Sequence, residues 1–368
     1  MIHTDILIIG AGLSGLLTAS LLQQRRPGLR ITILEARPNA GGRIRTLRAE
    51  NTAPLEMGAT WLTNDHPRLM ALLNRLGLDV MPQYTGPEAV YEFSAAQAPQ
   101  RVQLPPGESQ SYRVKGGTDQ IISALLKEFG PEQLICSSPV HSVSAQPSAG
   151  KESDGHGGLE VRTPDAVYSA ALVISTLPPR LLANSVTFDP PLPEPFMRIA
   201  SQTHTWMSDS VKAGFTYAGA DPFWLKHGAA GTLFSNAGPL TEFYDHSQGG
   251  HYALAGFMHP DMAGQTTETR KKLALGQLTR LLGKPAADYQ SYAECVWKDE
   301  VFTHSPFAGF LVPHQNSGHP VFREPLMKGR LILAGTETAA SHPGYMEGAV
   351  ESAGQAANSV FEYLGTSA

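Results

Sequence analysis

An apolar, β-branched run that ends in glycine and passes straight into a helix-forming stretch most limits how this chain can fold: DILIIGAGLSGLLTASLLQQ, residues 5–24. Its first part, DILIIG, reads as a buried strand, and LSGLLTASLLQQ spaces its apolar residues as a helix does. The turn between them must be tight. Gly10 lets the chain leave the strand, Gly12 lets the backbone approach a pyrophosphate, and Gly15 lets the helix pack closely, while the helix N-terminus faces the negative charge. A second strand, RITILEA (30–36), completes the opening of a βαβ unit.

Glu35 stands near the end of that strand, about twenty residues past Gly15, the spacing at which a carboxylate accepts hydrogen bonds from a ribose. A carboxylate there, rather than a basic residue, suits an unphosphorylated ribose, which leaves FAD or NAD. AALVISTLP (170–178) and GRLILAG (329–335) read as further core strands, so the nucleotide sheet recruits segments from the whole length of the chain. QAPQRVQLPPGES and FDPPLPEPF are Pro-rich crossings between units, and PSAGKESDGHGG (147–158) reads as a hairpin loop without chemistry between strand-like VHSVSA and LEVRT. ETRKKLALGQLTRLLG, with Leu275, Leu278 and Leu282, reads as an amphipathic helix on a core.

Several function classes are excluded early. A net charge of −5 leaves no basic face for nucleic acid. Two cysteines, Cys136 and Cys295, lack the spacing of a zinc site or a disulfide framework, and the histidine pairs His314/His319 and His246/His251 are five apart, off one helical face. We therefore expect no metal. No apolar run approaches the roughly 18 residues of a membrane span, and a cytoplasmic location is expected.

EARPNAGGRIRT decides between the two dinucleotides. A second glycine pair, Gly41 and Gly42, followed at once by Arg43, has no use in an NAD fold. Here the sequence resembles the flavin-containing amine oxidase family, whose fingerprint continues with a Gly-Gly-Arg against the FAD pyrophosphate. The likeness recurs in EMGATWL (56–62), RVKGGTDQI (113–121) and SPVHSV (138–143), and is most specific in GRLILAGTETAASHPGYMEGAVESAGQAA (329–357), which is similar to the corresponding block of the monoamine oxidases. The resemblance implies an α/β fold, α+β in total, with a discontinuous Rossmann-like FAD-binding domain (1–66, 112–180 and 298–368) and a substrate domain (67–111 and 181–297). Together with the glycine fingerprint it implies a cofactor-binding set of Gly10, Gly12, Ser14, Gly15, Glu35, Ala36, Arg37, Gly42, Arg43, Gly58, Ala59, Thr60, Val140, Gly335, Glu337 and Met346. Val140 would meet adenine through its backbone, Glu337 would bond the ribityl chain, and the helix beginning near Met346 would aim its positive end at the flavin N1–C2 locus.

The resemblance also supplies a catalytic set. Lys212 falls on a strand whose family lysine holds a water against flavin N5; the alternative is a surface lysine with a snorkelling stem. Tyr345 falls where the family has one wall of an aromatic pair. Aligned from Trp297, WKDEVFTHSPFAGF puts Phe307 at the other wall and Pro306 where the monoamine oxidases have the cysteine that bonds to the flavin, so the FAD is expected to be noncovalent. The implied reaction moves a hydride from an amine α-carbon to flavin N5; the imine hydrolyses, and oxygen is reduced to hydrogen peroxide. The amine and oxygen are then the small-molecule partners expected, with no nucleic acid and no membrane, and the oligomeric state is left open. The segment between GATWL and RVKGG is only about fifty residues, so a more open pocket is expected. Two other readings stand beside this one: an FAD-dependent carbon–carbon desaturase of the protoporphyrinogen oxidase kind, and a flavin-bound module whose redox site has decayed.

Overall fold

The computed structural model describes residues 1–104, 110–146, 158–219, 222–226, 231–309 and 311–365. Its opening follows from the sequence pattern: strand β1 is Ile2–Ile9, helix α1 is Leu13–Arg25 and strand β2 is Ile31–Leu34. β1 is the centre of an eight-stranded sheet, pairing in parallel with β2 on one side and with Val167–Ser175 on the other. The 167–175 strand is shared: its first half pairs antiparallel with Leu159–Arg162, and its second half pairs parallel with Leu331–Leu333. The expected late strands therefore join the first sheet, and the sheet is discontinuous as anticipated.

Both faces of this sheet are covered, which is why its strands read as nearly continuous apolar runs. On one face, Ile6, Ile8, Ile33 and Ile174 pack with α1, with the 67–75 helix and with the 346–363 helix. On the other, Leu7, Val143, Val161 and Val173 pack with the segments that carry Leu182, Phe196 and Phe322.

A seven-stranded sheet forms the second body, in the order 289–296, 211–217, 252–258, 240–245, 232–235, 88–92, 100–103. The 267–282 helix, where the amphipathic pattern fell, covers one face through Ala274, Leu278 and Leu282. All seven residues of Val211–Tyr217 are buried. Their period of two sends Val211, Ala213, Phe215 and Tyr217 into that helix-covered core. Lys212 and Gly214 take the opposite face, and a Cβ on Gly214 would meet Leu55 at 2.8 Å.

Three differences from the sequence reading concern the boundaries. Gln100–Gln103, inside a supposed crossing, is an edge strand of the second sheet, because its backbone finds a partner in Glu88–Glu92. The 67–75 helix packs on the first sheet through Leu69, Leu72 and Leu73, and Thr187–Asp189 pairs with Ser142–Ala145 of that sheet. Of the 147–158 loop, residues 147–157 lie outside the described set, while its flanks, 142–145 and 159–162, pair antiparallel as a hairpin requires. Among the described residues, no helix is long and apolar enough to cross a membrane, and no cluster of side chains could hold a metal ion.

Candidate active site

The two bodies enclose a cavity of about 740 Å³, within the range of sites for small molecules and cofactors. One end is the glycine turn after β1. Gly10 has φ +102°, and a Cβ there would lie 2.4 Å from Thr176 Oγ1; a Cβ on Gly15 would lie 2.0 Å from the Gly10 carbonyl oxygen. These two glycines are demanded by the protein's own backbone. Gly12 is different. Its φ is −80°, and its Cβ would meet only Gly42 Cα at 3.7 Å and Gly41 O at 4.0 Å, ordinary contacts. Protein packing does not require glycine at this cavity-lining position, so the side chain is missing from the space a ligand backbone would use.

The second glycine pair closes the cradle. Gly41 N donates to Ala11 O at 2.9 Å, and Gly41 and Gly42 both have positive φ, so this turn lies directly against Gly12. Gly12 is the N-cap of α1, whose first amides lack intrahelical acceptors and attract anions. Glu35 is buried and lines the cavity; its Oε2 accepts from Ala11 N at 2.8 Å and its Oε1 from Arg37 N at 2.9 Å. Each oxygen retains a free lone pair for a hydroxyl. Ser14, Ala36, Arg37 and Val140 line the same end.

Arg43 lines the cavity and is aimed by Glu337, whose carboxylate takes both of its terminal nitrogens at 2.6 and 2.8 Å. Glu337 is buried and is not among the cavity-lining residues. In this structure the Glu337 carboxylate orients Arg43. Gly15 and Gly335 likewise do not line the cavity. Gly335, at φ +119°, makes the turn after the 331–333 strand and donates its N–H to Ser352 Oγ at 3.0 Å.

At the other end, Gly58, Ala59 and Thr60 face Lys212 and the start of the 346–363 helix. Trp297 fixes this segment by donating from Nε1 to Met57 O at 2.7 Å. Lys212 is 1 % exposed, so it is not a surface lysine. Its Nζ donates to Gly58 O at 2.9 Å and Thr60 Oγ1 at 2.7 Å, and lies 4.9 Å from the Trp61 ring and 5.0 Å from the Phe257 ring. Burial pushes its pKa down to about 8, opposed in part by the charge of Glu56. Burial in turn pushes the Glu56 carboxyl upward, against hydrogen bonds from Thr118 N and Thr46 Oγ1.

Tyr345 is the N-cap of the 346–363 helix and lines the cavity with Met346 and Ala349. The helix is anchored beneath by Glu347, which accepts the N–H groups of Arg68 and Leu69 at the start of the 67–75 helix. Phe307 does not face Tyr345. It is 42 % exposed, is not among the cavity-lining residues, and has the Arg180 guanidinium 5.7 Å from its ring centre. Tyr345 instead stacks on His314 (5.9 Å, 9°), which stacks on Trp206 (4.7 Å, 19°). The sequence reading missed Trp206, Tyr244 and Phe257, all of which line the cavity. Strand alternation from Lys212 could have flagged Phe257, its cross-strand neighbour, had the pairing been known.

A family model for flavin containing amine oxidoreductases matches residues 13–106 and 92–361. Flavin-containing amine oxidase B of Cavia porcellus is 24% identical over 459 residues, covering 98% of this chain and 86% of that protein. A probable flavin-containing monoamine oxidase A of Dictyostelium discoideum is 24% identical over 454 residues, covering 95% of each. Among solved structures, putrescine oxidase bound to putrescine superposes with a TM-score of 0.80 at 22% identity, covering 98% of this chain and 99% of that one. Cyclohexylamine oxidase from Brevibacterium oxydans superposes at 0.81 with 19% identity and the same coverage. The fold is shared with both.

Proposed function

Because the chain belongs to the flavin-containing amine oxidoreductase family, we propose that it oxidises an amine at a carbon bearing nitrogen, using FAD held without a covalent bond and oxygen as the final acceptor. The observation that carries this reading is the continuity of one cavity from the open Gly12 cradle to the buried Lys212 and its aromatic neighbours. The residues fit FAD: Glu35 for a ribose, the amides of Gly12 to Ser14 and the Gly41–Arg43 turn for a pyrophosphate, and the 346–363 helix N-terminus for the ring system. Pro306 offers no thiol, which supports noncovalent binding, and the two cysteines are free thiols, which suits the cytoplasm.

When bound, the flavin supplies the two-electron acceptor for the reaction, and the chain supplies position, dryness and charge. Lys212 holds donors in a buried chamber, and a pKa near 8 lets it exchange a proton with water or a substrate nitrogen near neutral pH. Trp61, Tyr244 and Phe257 exclude water around it. Tyr345 forms a ring wall at the end of the helix whose dipole favours negative charge nearby. We read the eight-stranded sheet as the flavin-holding unit and the seven-stranded sheet as the cover of the substrate end.

An amine panel with oxygen uptake and flavin bleaching measured together tests this. Bleaching and oxygen uptake with at least one amine are expected. Bleaching only with substrates that lose hydrogen across a carbon–carbon bond would turn the assignment to a desaturase, and no bleaching at all to a decayed module.

A further inference from the structure

The lip of the cavity beside Glu35 is a short turn that comes from the other body. Tyr289–Val296 is an edge strand of the seven-stranded sheet, and the chain leaves it through a tight helical turn at Trp297–Asp299. Trp297 is buried and bonded to Met57 O, so the point of departure is fixed. The chain then closes on itself, with Thr303 N and His304 N both donating to Glu300 O at 2.8 Å. Val301, Phe302 and Thr303 line the cavity together with Glu35, Ala36 and Arg37. Thr303 is buried, but Val301 is 68% exposed and Phe302 37%. Two adjacent apolar side chains at a cavity lip leave water only when the cavity is filled.

Glu300 decides where this turn sits. Its Oε2 accepts from Arg37 Nε at 3.1 Å and its Oε1 from Arg45 Nη1 at 2.5 Å, while Arg37 Nη2 donates to Thr303 Oγ1 at 2.6 Å. Both arginines follow β2, 263 and 255 positions away in the sequence, so one carboxylate ties the second body to the first. An isolated exposed ion pair holds little; here the groups are partly buried and share a network with the Thr303 hydroxyl, which is the arrangement that holds. Arg37 joins this network to the ligand end. Its backbone N–H donates to Glu35 Oε1, and its guanidinium grips the turn. The carboxylate that we assign to a ribose and the lip beside it are thus set by one residue. Pro306 offers no thiol to hold a flavin, so retention of the cofactor falls to contacts of this kind.

We propose that Glu300 is a positioning residue for cofactor retention: by holding Arg37 and Arg45 it keeps Val301 and Phe302 at the Glu35 end of the cavity, where they cover the adenosine part of FAD and set how slowly the cofactor leaves. This rests on the reading above that FAD fills the cavity.

The test compares the flavin-loaded wild type with Glu300→Gln, which keeps the shape and loses the charge, and with the double variant Val301→Ser/Phe302→Ser, which leaves the bonds of Glu300 in place. FAD release is followed by the rise of flavin fluorescence on dilution. The apo-protein is titrated by calorimetry with ADP, which carries the adenosine and phosphate end alone. Glu300→Gln should release FAD at least fivefold faster and bind ADP at least fivefold more weakly, and the double variant should do the same. The absorption spectrum of bound FAD, which reports on the ring end, should not move in either. A smaller change in FAD release or in ADP affinity, or no ADP binding by the wild type, would overturn the proposal. So would a flavin spectrum that shifts together with faster release, which would assign Glu300 a role in the fold as a whole. If Glu300→Gln does not fold, a double variant that keeps FAD and ADP within fivefold of the wild type overturns it equally. If the wild type binds no FAD, the cofactor reading fails, while the ADP titrations still decide for or against the lip.

Discussion

Replacing Lys212 by methionine should change how stability depends on pH, in a direction fixed by burial. In the folded protein the ammonium loses its proton near pH 8, against an ordinary value of 10.5. The unfolded chain therefore binds more protons between these values, and the contribution of Lys212 to stability rises with pH through that window. Between pH 7 and pH 9.5 the gain is about 2 kcal/mol, approaching about 3 kcal/mol above both values. The methionine variant keeps most of the stem and has no such slope. Urea unfolding of both proteins at pH 7 and pH 9.5, with FAD saturating, gives the double difference directly. The wild type should gain on the variant by about 2 kcal/mol over the interval. A difference that does not change with pH would mean that the ammonium is solvated, and would remove the argument for a proton exchanged near neutrality. The same variant should slow amine oxidation while leaving FAD bound.

Gly12→Ala and Gly15→Ala should separate ligand-driven from fold-driven glycines. The first meets only ordinary contacts, so apo stability should stay within about 1 kcal/mol while FAD affinity, read by flavin fluorescence, falls at least tenfold. The second forces a Cβ to 2.0 Å from a backbone oxygen and should cost more than about 2 kcal/mol of stability in urea. Glu35→Gln keeps the shape but weakens charge-assisted bonds of about 1.5–3 kcal/mol each, so FAD affinity should fall by tenfold or more in a titration; unchanged affinity would exclude the ribose role. Acid precipitation should release yellow colour into the supernatant, and colour left in the pellet would show a covalent flavin.

What could be read from the sequence was local or carried by a long similar block. β1, α1 and β2 followed from apolar period and glycine placement, and Glu35 followed from spacing alone. The burial of Lys212 was an expectation of resemblance, and its physical cause, a strand paired on both sides, depends on contacts with Phe257 and Cys295 that no local pattern encodes. The pairing of Phe307 with Tyr345 did not appear, because it was carried from Trp297 across an irregular stretch where spacing does not determine direction. The pairing of Glu337 with Arg43, 294 positions away, is a long-range contact that no local pattern encodes.

The way the first sheet is assembled has a consequence for how the protein is made. Gly12 and Glu35 leave the ribosome early, but the ring end of the cavity needs Tyr345, Met346 and Ala349. At about 5–20 residues per second, roughly 15–60 s pass between synthesis of the two ends. During that interval the nascent chain has half a cradle, and the 167–175 strand awaits the 331–333 strand as its neighbour. A chain stalled before residue 331 therefore carries the glycine turn of one end of the cavity but lacks the residues that form the other.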